Sequence, residues 1–513
     1  MTGGSTAGTI PGDAGSRLFA MKSFGKHTLV YGLGILLSKA VSFIMLPIYT
    51  RYLTPADYGI MELIEMTLDI IAIAAGAKIA IGIFRYYHKA ETQEEKDHVV
   101  STALIILALS YATVAIGTIL AAPYLSNLVF GTAEHTPLIR LAGASLGFSS
   151  LIVAPLAYIR VRKRSTLFVI ANLAKLIIAL SMNLVLVVWA EMGVKGVFIS
   201  SLTANAIVGF WLGSYLVRQV GLHFSSHATA SLLRYGVPLI LTQVATFVAT
   251  FGDRYFLQAQ AGEAEVGIYS LAYKFGFLLL VVGWVPISSV WEPARFEMAD
   301  RDDRDVIYAR AFVLTNVSLI SIALGLALFG GDVIRIMSDA SFHSAGVLIP
   351  MIVVAYIFQA WTDFHDVGIH MREKTEVITL VNWICAGVAV GGYLLLIPRY
   401  GTMGAAVATV IAFAVRFGLI YLASWKLWPV AYQWRPVVTL VLLAGAVFAA
   451  GLAIPADLDP LVAILLRGGL YTLFVTSVWF TGVIRPGEKE AGLALVRGGA
   501  RSIAQLLPGR ATP

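Results

Sequence analysis

The sequence predicts an all-α polytopic membrane protein with about fourteen transmembrane helices, arranged as two pseudosymmetric six-helix bundles followed by two C-terminal helices. Three observations favour this fold class. The 513 residues are 58% hydrophobic and only 13% charged, with a mean hydropathy of +0.80. Apolar runs of about 20 residues, enough for a helix to cross a bilayer, recur along the chain. Glycines also recur at one fixed interval, which indicates an internal duplication.

The composition excludes a soluble globular protein, because most of this chain cannot be solvated. In hydrocarbon, a helix satisfies the hydrogen bonds of its own backbone. The lone Cys385 lies in an apolar run, so no intramolecular disulfide can form and redox chemistry is not expected. The net charge of +7 lies in short loops, and we interpret it as a signal for membrane orientation rather than for nucleic-acid binding.

The apolar runs also predict the regions of the chain. Residues 1–27 begin with a small, polar stretch that lacks the apolar core of a signal peptide, so we predict a disordered cytoplasmic tail. The predicted regions after it are an N-terminal six-helix bundle (28–217), a C-terminal six-helix bundle (232–425), two additional transmembrane helices (436–484) and a cytoplasmic tail (485–513). The predicted helices lie near residues 28–50, 58–84, 99–125, 137–159, 166–190, 196–217, 232–253, 264–290, 306–330, 343–370, 376–398, 402–425, 436–454 and 460–484.

The duplication is indicated by glycine pairs that share an offset of 208 residues. An even number of predicted helices fits into that interval, so both copies would enter the membrane in the same direction. This predicts a pseudo-two-fold axis along the membrane normal and a substrate site between the halves. The pairs are Gly59 with Gly267, Gly193 with Gly401, and Gly196 with Gly404.

The distribution of basic residues predicts that both termini are cytoplasmic. With that orientation, most Lys and Arg residues fall in cytoplasmic segments, including the run from Arg160 to Arg164. No outer loop has room for a soluble catalytic domain, and no phosphate-binding glycine loop or nucleophile elbow is evident. The outer segments hold only Arg51, Lys195, Arg254, Arg335, Arg399 and, at the margin, Arg467.

Several ordered motifs resemble the Wzx-type polysaccharide flippases of the superfamily that also contains the multidrug and toxic compound extruders. Lys39 followed by SFIMLPIYTRYLTPADYG resembles the opening of that family, and LLLIPRYGTMGAAVATVIAF near Lys374 and Asn382 resembles its eleventh and twelfth helices. The midpoint is also similar, in Tyr235-Gly236, Pro238, Asp253-Arg254-Tyr255 and Gly267-Ile268-Tyr269-Ser270. The resemblance covers roughly residues 25–425.

This resemblance implies a flippase of the bacterial inner membrane. Its substrate would be an undecaprenyl-pyrophosphate-linked oligosaccharide, moved by alternating access for O-antigen, capsule or exopolysaccharide assembly and coupled to a cation gradient. Its partners would be membrane lipids and a polysaccharide polymerase with its chain-length machinery. It implies no cofactor and no nucleic acid. A multidrug or cation antiporter of the extruder branch and a peptidoglycan-precursor flippase are the alternatives.

Cations inside the apolar runs are the candidate substrate site, because an ionisable group near the bilayer centre is costly and is usually functional. Lys39 and Lys175 belong to the first copy, and Lys274 and Arg416 belong to the second. We predict that these four residues line a hydrated, positively charged cleft that receives the pyrophosphate and acidic sugars. Neutralisation by neighbouring carboxylates, or snorkelling to an interface, is the alternative.

Carboxylates are the candidate groups for ion coupling. Glu62, Glu65 and Asp69 lie on one face of the second predicted helix, at i, i+3 and i+7. They predict either a proton or sodium relay or ion pairs with the basic groups of the cleft. Alternatively, Glu62 and Glu65 are hydrated near the outer interface.

Two further groups are candidates for gating. Asp363 and Asp366 share the i, i+3, i+7 spacing with His370, which predicts a hydrated inner gate or an ion pair with Arg372 or Lys374 rather than a metal site. Asp253 and Arg254 form either an outer gate or a helix end whose charges lie among lipid headgroups.

Overall fold

The computed structural model describes residues 45–76, 79–455 and 458–490. Within these ranges the protein is predominantly α-helical and contains no β-strand. Twelve of the described helices are long and apolar enough to cross a membrane. The predicted all-α membrane fold class is therefore confirmed.

The first helices cover the N-terminal copy. Local hydrogen bonds fix the start of the helix Pro55–Ala74. The Thr54 hydroxyl accepts a hydrogen bond from the Asp57 amide at 3.1 Å, and the Asp57 carboxylate accepts one from the Thr54 amide at 3.0 Å. Such a capping box satisfies amides that the first turn leaves unpaired. The helices are α1 (Leu46–Tyr52), α2 (Pro55–Ala74), α3 (Ile79–Lys89), α4 (Gln93–Phe130), α5 (Thr136–Val161), α6 (Ser165–Asn183) and α7 (Gly193–Val220).

The remaining helices cover the second copy and the C-terminal addition. A π-helical segment, Leu280–Trp284, joins α10 to α11, and another, Leu184–Trp189, extends α6. The helices are α8 (Ser226–Phe251), α9 (Asp253–Ala261), α10 (Glu263–Leu279), α11 (Val285–Glu297), α12 (Arg304–Met337), α13 (Ala345–His365), α14 (Val367–Met371), α15 (Glu376–Leu427), α16 (Trp434–Leu452) and α17 (Pro460–Phe480).

Helix α15 accounts for two of the predicted membrane helices. The runs predicted at 376–398 and 402–425 are joined in one element of 52 residues, which is interrupted where Gly401 adopts a φ of +53°. The helix predicted at 28–50 lies largely outside the described residues. The other predicted runs each correspond to an observed helix or pair of consecutive helices.

The chain divides into two compact units. Unit 1 comprises Met1–Lys274, Arg335–Leu348 and Ile378–Arg416, and unit 2 comprises the rest, Phe275–Ile334, Ile349–Val377 and Phe417–Pro513. The bundle boundaries read from the sequence stay predictions.

Each unit has its own core. In unit 1, an apolar cluster that includes Ile83, Leu107 and Tyr111 is contributed by α3 and α4 together with neighbouring helices. In unit 2, aromatic rings surround the buried His365, with the rings of Tyr432 and Trp434 at 4.4 and 5.7 Å from it between centroids. The core of unit 2 is therefore largely aromatic in this region.

The backbone geometry repeats at the same 208-residue offset as the sequence. A Cβ atom on Gly59 would lie 1.9 Å from the carbonyl oxygen of Glu263, and a Cβ atom on Gly267 would lie 1.9 Å from that of Pro55. Pro55 and Glu263 are themselves 208 residues apart. Helices α2 and α10 thus approach each other through a reciprocal contact that only glycine permits.

Candidate functional site

A cavity of about 400 Å³ lies within unit 1. It is lined by residues of α1 and its N-cap, α2, α6 and α7 and by Lys274 of α10. Most ligand-binding cavities place a few convergent polar groups in an apolar wall, and this lining has that character. Its polar members include Glu62, Glu65, Asn172, Lys175, Asn183 and Lys274.

Helical spacing brings these side chains to the cavity. Asn172, Lys175 and Asn183 lie on one face of α6, three and eight residues apart. Glu62 and Glu65 lie on one face of α2 in the same way. The spacing of these polar residues in the sequence places them on one face of their helix, and that face lines the cavity.

Glu62 and Lys274 form an ion pair across this cavity wall, with 2.7 Å between Lys274 Nζ and Glu62 Oε1. The Glu62 side chain is 6% exposed and that of Lys274 is 27% exposed. The alternative that Glu62 is merely hydrated at an outer interface is therefore wrong, and the alternative of pairing with a basic residue describes it. The pair joins α2 to α10, the helices that meet at Gly59 and Gly267.

Lys175 and Glu65 face the same cavity, but neither belongs to an ion pair like that of Glu62 and Lys274. Within the described residues, neither side chain makes a hydrogen bond or an ion pair at 4 Å or less. Glu65 is exposed to the cavity and Lys175 is half-buried. These two charged groups are the ones that a ligand in the cavity can reach without breaking a contact.

The other predicted site residues lie elsewhere or outside the described residues. Lys39 lies outside them. Arg416, on α15, is half-buried, and Asp69, on α2, is exposed; neither lines the cavity. Of the four predicted cations, the structure brings together Lys175 and Lys274, and it adds the carboxylates of Glu62 and Glu65 to the same wall.

Asp253 and Arg254 are buried inside unit 1 at the start of α9. Their side chains are 0% and 1% exposed, and Arg254 Nη1 lies 2.6 Å from Asp253 Oδ1. Protein encloses both charges, so the expectation that they lie among lipid headgroups is wrong. The placement of Arg254 in an outer segment stays a prediction. Local hydrophobicity gives no indication of this burial, because the surrounding tyrosines come from another helix, α10.

Sequence reasoning missed the tyrosines that enclose this pair. The Tyr269 hydroxyl donates to Asp253 Oδ2 at 2.7 Å, and the guanidinium of Arg254 lies 3.8 Å from the centroid of the Tyr273 ring. Cation–π contacts and charge-assisted hydrogen bonds stabilise buried ions most effectively. Gly267-Ile268-Tyr269 contributes to the repeat and to the family resemblance, but the sequence carries no signal that Tyr269 binds Asp253.

Asp366 is paired in unit 2, but with another residue than predicted. Arg295 Nη1 lies 2.6 Å from Asp366 Oδ1, and His370 Nε2 lies 3.2 Å from Asp366 Oδ2. The predicted pairing with Arg372 or Lys374 is therefore wrong; the Arg372 side chain donates instead to the Leu427 carbonyl. Asp363 accepts from the Gln359 amide at 2.9 Å.

A profile of the family described as "Polysaccharide biosynthesis protein" matches residues 24–299, more than half of the chain. The chain belongs to this family. The match confirms the resemblance to Wzx-type flippases that the motifs indicate. The chain is thus a multi-pass membrane protein of the polysaccharide biosynthesis family.

Individual relatives agree with this placement. Protein 1 of the Lsg locus of Haemophilus influenzae is 23% identical over 270 residues, which cover 51% of this chain and 63% of that relative. The lipid II flippase MurJ in an inward closed conformation superposes with a TM-score of 0.72 at 14% identity, over 89% of this chain and 100% of MurJ. An inward-facing multidrug resistance transporter of the MATE family superposes with a TM-score of 0.62 at 16% identity, over 78% and 97%. The chain therefore shares the fold of these two transporters.

Proposed function

We propose that this protein is a flippase that moves undecaprenyl-pyrophosphate-linked oligosaccharide units from the cytoplasmic to the outer leaflet of a bacterial inner membrane. Membership of the polysaccharide biosynthesis family and the transporter fold support this proposal. The observation that carries it is the cavity of unit 1, with Lys175 and Lys274 in its lining. The polyprenyl tail stays in hydrocarbon, so only the headgroup needs a polar path.

Lys175 is the first contact that we assign to the pyrophosphate. Its ammonium group faces the cavity, and no described carboxylate lies within ion-pair distance of it. An ammonium ion and a phosphate oxygen form a charge-assisted hydrogen bond, which is stronger than a neutral one. Lys39 and Arg416, also predicted on the pathway, stay predictions.

Lys274 would bind the substrate by exchanging partners. Its ammonium is held by Glu62 at 2.7 Å, so a phosphate oxygen must replace that carboxylate. A buried carboxylate that loses its partner is costly unless it is neutralised. We propose that Glu62 then takes up a proton or a sodium ion, with Glu65 and Asp69 as further sites on α2, and that this couples flipping to a cation gradient.

Movement of α2 relative to α10 would give alternating access to the cavity. The glycine crossing and the Glu62–Lys274 ion pair join these helices in the described part of the chain. We assign the opening step to the separation of these contacts. Asp253 and Arg254 fix the junction of α8 and α9, and Asp363 and Asp366 lie at the predicted inner gate.

The proposal is tested with Lys175→Ala in cells that lack the chromosomal copy. We expect lipid-linked sugar units to accumulate on the cytoplasmic face and surface polysaccharide to fall at least about tenfold, because one charge-assisted contact to phosphate is lost. Lys195→Ala is the matched control, since Lys195 is exposed at the start of α7 and does not line the cavity. Native export by Lys175→Ala at equal protein level contradicts the proposal.

The same cells separate the alternative functions. A deletion strain that accumulates peptidoglycan precursor instead of a polysaccharide repeat unit favours the precursor flippase. Sensitivity to cationic drugs with unchanged polysaccharide favours the antiporter.

Localisation and partners belong to the proposal as well. We propose an inner-membrane location with both termini in the cytoplasm, and delivery of flipped units to a polymerase with its chain-length machinery for O-antigen, capsule or exopolysaccharide assembly. Surrounding membrane lipids would hold the polyprenyl tail.

A further inference from the structure

A second group of cations lies at one membrane surface of unit 1, and none of them lines the cavity. Helices α4 and α5 are each long and apolar enough to cross a membrane, so a chain that leaves one membrane surface after α3 returns to that surface at Val161. The end of α3 and the turn between α5 and α6 therefore lie on the same side. We call these cations the basic turn patch; its members are Arg85, Arg160, Arg162, Lys163 and Arg164.

Phenol groups hold two arginines of the basic turn patch in place. Arg162 Nη1 donates to the Tyr87 hydroxyl at 3.1 Å, and Arg164 Nη1 donates to the Tyr215 hydroxyl at 2.7 Å. Each phenol accepts from a guanidinium, so its own proton stays available to a further acceptor. The arginines are oriented by neutral groups and keep their full charge.

Aromatic rings support two more members of the patch. The Arg160 guanidinium lies 4.9 Å from the centroid of the Phe84 ring, and that of Arg85 lies 5.1 Å from the centroid of the Tyr235 ring. An arginine stacked on a ring still directs its N–H groups outward in the guanidinium plane. The patch is therefore an ordered array of donors.

Four members of the basic turn patch are not paired with a described carboxylate. Within the described residues, Arg85, Arg162, Lys163 and Arg164 make no ion pair at 4 Å or less, and Asp97 acts on Arg162 only from beyond that distance. The arginines of unit 2 are bound differently. Pairs there include Arg295 with Asp366, Arg310 with Glu488, and Arg467 with Asp332.

The turn itself does not require this charge. In the turn after α5, the Arg164 amide donates to the Ile159 carbonyl at 3.0 Å and Lys163 has a φ of +54°. In the turn after α14, the amide of Lys374 donates to the carbonyl of Ile369 at 3.0 Å, and the residue before it also has a φ of +54°. That residue is Glu373, so the same backbone is built with an acidic side chain in place of a basic one.

We infer that the basic turn patch is a binding site for the phosphate groups of anionic phospholipid headgroups. It lies at a membrane surface, where such phosphates are abundant, and basic clusters between transmembrane helices are suited to them. Guanidinium N–H groups bind phosphate oxygens in parallel pairs, and the phenol protons of Tyr87 and Tyr215 can complete the contact. This role is independent of the substrate bound in the cavity.

Binding of dioleoyl-phosphatidylglycerol to the purified full-length protein, measured by native mass spectrometry and by thermal unfolding in detergent, tests the inference. We expect Arg162→Gln with Arg164→Gln to weaken this binding about tenfold, since two cations at the headgroup are removed. Arg372→Gln with Lys374→Gln, in the matching turn of unit 2, is expected to keep native binding. Equal losses in the two double variants would overturn the inference.

A charge-neutral variant keeps the test valid if loss of basic residues disturbs insertion. Tyr87→Phe with Tyr215→Phe leaves every charge in place but removes the hydroxyls that orient Arg162 and Arg164. We expect weaker phosphatidylglycerol binding and no change with dioleoyl-phosphatidylcholine. Native phosphatidylglycerol affinity in this variant would contradict a site built from arginines that the two phenols orient. Displacement of the lipid by millimolar inorganic pyrophosphate would assign the patch to a free phosphate compound instead.

Discussion

Two ion pairs in the described part of unit 1 differ in what surrounds them. Asp253 and Arg254 are adjacent in sequence, fully buried, and enclosed by tyrosines that satisfy the charges. Glu62 and Lys274 come from different helices and meet at a cavity, where the lysine is partly exposed. Pairs of the first kind fix a backbone, whereas a pair beside open space can exchange its partner for a ligand.

The largest expected effect comes from breaking the enclosed pair. Arg254→Met leaves the Asp253 carboxylate buried and uncompensated, so the free energy of unfolding should fall by about 3 to 5 kcal/mol. Membrane abundance and thermal unfolding in detergent measure this effect. The control is Arg140→Met, which changes an exposed arginine of the same unit. If Arg254→Met is as stable as the control, the pair at α9 has no structural role.

Substitutions in the Glu62–Lys274 pair at the cavity should affect export more than stability. Glu62→Gln leaves the partly exposed Lys274, which cavity water can solvate, so we expect near-native abundance and a loss of export of about tenfold or more. Lys274→Gln leaves the buried Glu62 carboxylate without its partner, so we expect a similar loss of export together with lower abundance. The double variant Glu62→Lys with Lys274→Glu restores an ion pair but exchanges the positions of its two charges. It should recover stability without recovering export. Recovery of export in the reversed variant would show that only the attraction between α2 and α10 matters.

The smallest effect is expected from one hydrogen bond of the enclosed pair. Tyr269→Phe removes the hydroxyl that donates to Asp253 Oδ2 and should lower the free energy of unfolding by about 1.5 to 3 kcal/mol, because the acceptor is charged. Export per folded molecule should not change. If Tyr269→Phe loses export but keeps native stability, Asp253 has a role in transport rather than in stability.

The sequence predicted features that depend on local pattern or on an interval. Apolar runs placed the helices, and the 208-residue interval identified Gly59 and Gly267 before their contact was known. Helical periodicity placed Glu62 and Glu65 on one face, although it could not choose Lys274 as the partner of Glu62.

Features that depend on distant packing were not predictable. Asp366 is bound by Arg295, which is 71 residues away, while basic residues nearby in sequence are not used. The burial of Arg254 depends on rings that other helices supply. Neither contact has a spacing that sequence reasoning could use.

The glycine crossing constrains how the two copies can diverge. Since each glycine faces the carbonyl oxygen of the opposite helix, a methyl group added to either copy would strain the other copy's backbone as much as its own. Neither half can gain a side chain there unless the opposite half yields. The space available to a side chain at either glycine is therefore set by the backbone of the other segment, 208 residues away in the chain. A substitution at one position requires a compensating change at the other.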